Sequence, residues 1–97
     1  MNKTEISFDR RLAASKGVLI QQLKDESVLL HVAKGQYYGL NETGTRMWNE
    51  LIAASSIQAA YEKLSSEFDI AQDQLRQDLT ALIEDLLEHE LLEVAAA

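Results

Sequence analysis

Residues 35–44 constrain the fold most, because they predict a short strand that runs directly into a helix. Gly35 can adopt the positive φ of a tight turn. Tyr37 and Tyr38 favour a pleated, half-buried surface. Asn41 can accept hydrogen bonds from the first free N–H groups of a helix. A strand therefore meets a helix start at Asn41, and no linker separates the two.

Two further β-rich runs precede this segment, at residues 18–23 and 28–33. Polar residues 24–27 separate them, which predicts a hairpin. A second tight turn at Gly35 then returns the chain as a third strand over residues 36–40. We therefore expect an antiparallel meander in which the strands lie in sequence order.

Three helices are predicted after the strands, because apolar residues recur at helical spacing over about residues 42–54, 55–67 and 71–88. Ser55 and Gln58 form a capping-box pattern at the start of the second helix. Three strands followed by three helices predict a two-layer α+β domain of winged-helix type.

The third helix carries a wide inward stripe. The stripe has two shoulders, one with Arg76 and Leu87 and the other with Asp78 and Asp85 near Leu82, and one of the two is a candidate border of a groove. The stripe residues are Leu75, Leu79, Leu82, Ile83 and Leu86.

The chain has 97 residues, which is enough for one domain with a single core. We expect a flexible arm over residues 1–16, a folded domain over residues 17–94 and a disordered tail over residues 95–97. No apolar run approaches the roughly 20 residues that a membrane-spanning helix needs. The first residues show no export signal, so we expect a cytoplasmic protein that does not bind membranes.

The side chains available for catalysis or metal binding are few. The chain contains no cysteine, which excludes disulfides, thiol chemistry and cysteine-ligated metals. His31 and His89 are the two histidines, and two isolated histidines make a poor metal site. We expect His31 to pack across strands and His89 to interact with a helix dipole. The sequence thus predicts neither an enzyme nor a bound cofactor.

Charge divides the chain into two unlike halves. Residues 1–49 carry seven basic and five acidic side chains, whereas residues 50–97 carry two basic and eleven acidic ones. The acidic half is either a solvated helix surface or a surface that steers a basic ligand. A winged-helix DNA-binding protein is the alternative by fold analogy. It needs a basic recognition helix, but the third helix has Arg76 alone, so no nucleic-acid partner is expected.

The third strand of a meander is a sheet edge. Its five residues would present about 17 Å of unpaired N–H and C=O groups. Either the third helix or the N-terminal arm covers this edge, or an extended peptide adds to it as a fourth strand.

Several segments together resemble the pyrroloquinoline quinone biosynthesis protein D family over about residues 17–94. The resemblance implies a small winged-helix-like domain that captures the leader of a ribosomally made, post-translationally modified peptide. Such a domain delivers the leader to modifying enzymes such as a leader protease, a cyclase or a radical enzyme. The segments that carry the resemblance are residues 28–44, Trp48, Asp78-Leu79, Leu82-Ile83 and Leu91-Leu92.

The resemblance specifies the family more closely than it specifies the biosynthetic pathway. The segment Tyr-Tyr-x-Leu-Asn-x-Thr-Gly, residues 37–44, is most similar to stand-alone proteins of lasso-peptide pathways. Peptide chaperones in pyrroloquinoline quinone or other radical-enzyme pathways are the alternative within the family.

The resemblance also implies a binding site, in which the leader pairs antiparallel to the third strand and lies against the third helix. Asp78 is either a solvated carboxylate or a partner for the leader. Tyr37 and Tyr38 point to opposite faces, and the sequence does not decide which faces the core. The ladder residues would be Gln36, Tyr37, Tyr38, Gly39 and Leu40. The opposite wall would contain Leu75, Asp78, Leu79 and Leu82.

One position departs from the family pattern. The family commonly has glycine before the final Leu-Leu pair, where a helix can end in a left-handed residue, but Glu90 stands there in this chain. We therefore expect the third helix to run slightly longer.

Overall fold

The structure, a computed structural model, describes residues 6–95. Strands β2 (Val18–Leu23), β3 (Glu26–His31) and β4 (Gln36–Leu40) form an antiparallel sheet in that order, and three helices follow them. The predicted α+β fold, a meander followed by helices in an approximately winged-helix arrangement, is confirmed. None of the helices in the described part of the chain is long and apolar enough to cross a membrane. The elements are β1 (Leu12–Ala14), β2 (Val18–Leu23), β3 (Glu26–His31), β4 (Gln36–Leu40), α1 (Glu42–Ala53), α2 (Ile57–Glu67), α3 (Gln72–Glu88) and β5 (Leu92–Val94).

Both hairpin turns of the three-stranded sheet contain a residue in the left-handed region. Lys24 has a φ of 59° in the two-residue turn between β2 and β3. Gly35 has a φ of 62° and donates its N–H to the carbonyl oxygen of His31 at 2.8 Å, which closes the second turn. Because the first turn is this short, the strand predicted over residues 28–33 lies instead at Glu26–His31.

One face of the sheet packs on the helices. Ser27, Leu29 and His31 alternate inward along β3 and are buried. The hydroxyls of Ser27 and Thr45 are hydrogen-bonded at 2.8 Å, so both buried polar groups are satisfied where α1 crosses the sheet. The core combines apolar side chains from the strands, all three helices and the N-terminal segment: Phe8, Leu12, Leu29, Leu40, Met47, Trp48, Leu51, Ile57, Ala60, Leu64, Leu75, Leu79, Ile83, Leu86, Leu91 and Leu92.

The segment expected to be a flexible arm contains a paired strand. Strand β1 pairs antiparallel with β5, with Leu12 opposite Val94. The Ala95 N–H donates to the carbonyl oxygen of Arg11 at 2.8 Å, which extends this ribbon into the segment expected to be a disordered tail. The remainder of the expected arm and tail, residues 1–5, 96 and 97, lies outside the described residues. The sequence pattern does not predict β1, because only one of its three residues has a buried apolar side chain. Its pairing partner, β5, also lies about 80 positions away in the chain.

Local capping fixes the starts of the first two helices. Asn41 accepts a hydrogen bond from the Gly44 N–H at 2.8 Å, as the sequence predicts for α1. The cap of α2 is Ser56, whose hydroxyl oxygen accepts from the Ala59 N–H at 3.0 Å. The prediction of a capping box at Ser55 is therefore wrong. The cap lies one residue later, at Ser56, and Ala59 stands where a capping box needs Glu or Gln.

The end of α3 corrects the expectation about Glu90. The helix ends at Glu88, and Glu90 adopts a left-handed φ of 61°. The Glu90 N–H donates to the carbonyl oxygen of Leu87 at 3.0 Å, and the Leu91 N–H donates to that of Leu86 at 2.8 Å. These two bonds form a Schellman motif, which usually places glycine at this position. The prediction of a longer third helix is thus wrong, because Glu90 adopts the left-handed conformation that the family's glycine would have at this position.

Candidate functional site

Strand β4 has one unpaired edge. It pairs with β3 alone, with Tyr38 opposite Leu29, and no strand within residues 6–95 lies along its other side. The N-terminal strand β1 does not cover this edge, because it pairs with β5. The described chain therefore leaves hydrogen-bonding groups of β4 unused by any other strand.

The register assigns the two tyrosines to opposite faces of the sheet. Tyr38 lies opposite the buried Leu29 and points toward the helices, together with Gln36 and Leu40. Tyr37 points to the outer face and is 72% exposed. A peptide added at this edge would thus meet the helix layer on one side and the open outer face on the other.

Tyr38 connects β4 to the C-terminal part of α3. Its hydroxyl donates a hydrogen bond to the carboxylate of Asp85. Its ring meets the His89 ring edge-on, with centroids 5.4 Å apart and planes at 63°. Burial, with the hydrogen bond to Asp85 and the negative charge of that carboxylate, raises the pKa of Tyr38 to about 12. The hydroxyl therefore stays protonated near neutral pH and remains a donor to Asp85.

His89 also contacts Asp85, through both the main chain and the side chain of that residue. Its Nδ1 lies 2.8 Å from the Asp85 carbonyl oxygen and 3.4 Å from a carboxylate oxygen of the same residue. The sequence places Asp85 on one shoulder of the α3 stripe, but neither Asp85 nor His89 was predicted to belong to the site. Their spacing from Asp78 and Leu82, at i, i+4, i+7 and i+11, puts all four on one helical face and was the signal that could have found them.

The wall residues predicted on α3 divide into two groups. Leu75 and Leu79 have 0% exposed surface and belong to the core, so they support the helix from behind. Leu82 is partly buried and packs at the margin of the core. Asp78 is exposed and accepts a hydrogen bond from the Gln74 amide at 2.8 Å. In the free chain only Asp78 and Leu82 of this predicted set reach the surface of the wall.

Polar contacts join the β3–β4 turn to the end of α3. The Lys34 ammonium lies 3.0 Å from the Glu90 carboxylate, and this bond and charge hold the pKa of Glu90 below its usual range. A small cavity lies between the two elements, lined by His31, Gln36, Tyr37, Tyr38, His89 and Leu91. These side chains therefore connect the N-terminal end of β4, at Gln36, to the end of α3.

The basic residue of α3, Arg76, is exposed and its guanidinium stacks on aromatic rings. The Arg76 guanidinium carbon lies 4.0 Å from the centre of the Phe8 ring and 5.7 Å from that of Tyr61. This cation–π contact fixes the N-terminal segment on α2 and α3. Arg76 thus packs on aromatic rings at the protein surface, and α3 contains no second Lys or Arg that could bind DNA phosphates.

The chemistry of the site is that of peptide binding. No group of three or more His, Cys, Asp or Glu side chains within residues 6–95 is arranged to hold a metal ion. The edge of β4 supplies backbone donors and acceptors, and the exposed face of α3 supplies an apolar side chain between two carboxylates. Such a surface can hold an extended chain and sort its side chains by shape and charge.

The chain is similar in sequence and fold to known proteins. No curated protein matches the chain. The solved structure of TbiB1 in complex with the TbiA(beta) leader peptide is similar, with a TM-score of 0.79 and 29% sequence identity over 88% of this chain and 99% of that chain. The family model for coenzyme PQQ synthesis protein D (PqqD) matches residues 26–92, so the described sheet edge and the face of α3 both lie inside the match. On this match across two thirds of its length, the chain belongs to the PqqD family.

Proposed function

We propose that this protein binds the leader of a ribosomally made precursor peptide, which adds as a fourth strand to β4 and lies against α3. The observation that carries the proposal is the unpaired edge of β4, which Tyr38 joins to Asp85 of α3. Asp78 and Leu82 lie on the same face of that helix as Asp85, because residues at i, i+4 and i+7 share a helical face. Main-chain hydrogen bonds along β4 would supply affinity, and pockets beside alternate side chains would supply specificity.

The predicted ladder and wall define the contacts that we expect. Gln36, Tyr37, Tyr38, Gly39 and Leu40 would pair with the leader backbone, whereas Asp78 and Leu82 would touch its inward side chains. Leu75 and Leu79 would position that wall from the core. Membership of the PqqD family and the likeness to TbiB1, which is bound to a leader peptide, both support this assignment.

We further propose a non-catalytic role in which the bound leader is presented to modifying enzymes in the cytoplasm. A protein of this size has a single small core, which favours binding at its surface over catalysis in an enclosed cleft. Lasso-peptide maturation is our preferred pathway, because residues 37–44 resemble stand-alone proteins of those pathways. Pyrroloquinoline quinone or another radical-enzyme pathway is the alternative.

Titration of backbone amide signals tests the binding site. The ¹⁵N-labelled protein would be titrated with the TbiA(beta) leader and with the leader of the precursor peptide encoded beside its own gene. We expect shifts confined to β4, the β3–β4 turn and the exposed face of α3, and no shifts with a duplex DNA at physiological salt. Shifts centred on α1 and α2, or saturable binding of the duplex, would contradict the proposal.

A further inference from the structure

Gly39 lies inside β4, at a position where the free chain has no need of glycine. Its φ is not in the left-handed region, and a Cβ built on it would meet no atom within 4 Å. Glycine in a strand is less stable than a β-branched residue, since it loses more entropy on folding and packs no side chain. A glycine of this kind often marks the place where a ligand approaches the strand closely.

An open depression surrounds Gly39 on the outer face of the sheet. It measures about 260 Å³, and its floor includes the side chain of Val28, which lies opposite Gly39 in the β3–β4 register. Leu23, at the end of β2, forms an apolar side and is 56% exposed. The complete lining is Leu23, Glu26, Ser27, Val28, Gly39, Leu40 and Asn41.

The register of an added strand determines which leader side chain reaches this depression. In an antiparallel ladder, directly opposed residues point to the same face of the sheet. The leader residue opposite Gly39 therefore points outward, whereas its two neighbours point toward α3. Strands lie about 4.8 Å apart, so a large side chain can lean across the bare glycine and contact Val28. Aromatic side chains are known to cover a glycine on a neighbouring strand in this way.

We propose that Gly39 and the depression around it form a subsite for one large apolar or aromatic side chain of the leader, at the position paired with Gly39. This inference rests on the proposed function and adds a sequence requirement to it. The leader would then be held from both faces of the sheet, with inward residues against Leu82 and one outward residue over Gly39.

Selection from a displayed library of random 12-residue peptides tests the subsite without knowledge of the natural leader. The full chain and its Gly39→Val variant would be used as targets in parallel. Valine fills the space above β4 and suits a strand, so the variant should fold with an unchanged or higher Tm. We expect peptides selected by the wild type to share one large apolar residue, and to bind Gly39→Val about ten- to thirtyfold more weakly.

Two comparisons make the result specific. Gln21→Val adds the same side chain to the same row of the outer face, but on β2, and should leave affinity unchanged. Peptides reselected on Gly39→Val should carry a small residue at that position. If peptides that shift the β4 amides show no preference there, or bind Gly39→Val equally well, the subsite is wrong and the proposed function stands. A library that yields no β4-binding peptide would overturn both.

Discussion

The two edge strands of the same sheet, β2 and β4, differ in what lies beside them. Five of the six residues of β2 are exposed, and Val18 is the one residue of that strand that packs against the core. Strand β4 is fastened to α3 through Tyr38 and buries Leu40. Both edges offer unpaired backbone N–H and C=O groups, so these groups alone cannot make a peptide prefer one edge to the other. The two edges differ in the side chains that border them, and on the proposed function these side chains decide which edge binds the leader.

The largest expected effect concerns the wall beside β4. Leu82→Lys replaces an apolar contact with a charge and should weaken leader binding by roughly fiftyfold, about 2–3 kcal/mol. Asp78 and Asp85 lie near on the helix surface and can pair with the new ammonium, so the fold should persist. Fluorescence polarisation of a labelled leader measures the affinity.

The matched control for this change is Ile20→Lys, which places the same charge on the helix-facing side of β2. Ile20 is already 41% exposed, and we expect leader affinity within twofold of wild type. An equal loss of affinity in both variants would mean that the leader does not distinguish the two edges.

Removing the hydroxyl that joins β4 to α3 should have an intermediate effect. Tyr38→Phe should lower the free energy of unfolding by about 1–2 kcal/mol at pH 7, because the bond to a carboxylate is lost. Tyr37→Phe, at an exposed position of the same strand, should change it by less than about 0.5 kcal/mol. Urea unfolding measures the free energy of unfolding of both variants. Similar losses in the two variants would contradict a stabilising hydrogen bond between Tyr38 and Asp85.

The same bond predicts a dependence on high pH. The pKa of Tyr38 is raised from 10.0 to about 12 in the folded chain. Its contribution to stability is therefore complete below pH 10 and is lost as the pH rises through 12. The difference in unfolding free energy between wild type and Tyr38→Phe should narrow over this interval, whereas a constant difference would contradict the assignment.

The smallest expected effects come from two residues with left-handed backbone, Lys24 at the β2 hairpin and Glu90 at the end of α3. Glycine at either position should raise the unfolding free energy by about 0.5–1 kcal/mol, because it adopts this conformation without a Cβ clash. Glu90→Gly should gain less than Lys24→Gly, since it also loses the exposed contact with Lys34. Thermal unfolding tests both, and a loss of stability in either would contradict the argument.

Structural features that depend on residues close together in the chain could be predicted from the sequence. The cap at Asn41 and the apolar periodicity of α3 depend on positions a few residues apart, so the α1 start and the buried Leu75, Leu79, Ile83 and Leu86 follow from pattern alone. The edge position of β4 follows from the meander, because short turns force adjacent strands to pair.

Features that depend on distant segments were not predictable. Strand β1 is defined by its bonds to β5, and the Tyr38 hydroxyl finds Asp85 across 47 positions of sequence. The inward tyrosine was undecided, because a one-residue change of register exchanges the two faces of a strand. The β3–β4 turn, closed by the hydrogen bond from the Gly35 N–H to the His31 carbonyl oxygen, fixes that register.

The β1–β5 ribbon has a consequence for how this fold can be connected to other proteins. Since Leu12 and Val94 are direct neighbours, the first and last strands of the described chain lie side by side. A host polypeptide could accept the whole unit within a single surface loop, because adjacent entry and exit points need little rearrangement of the host. The same proximity would permit a circular permutant, joined across the ribbon and reopened at the Lys24 turn, that keeps the β4 edge intact.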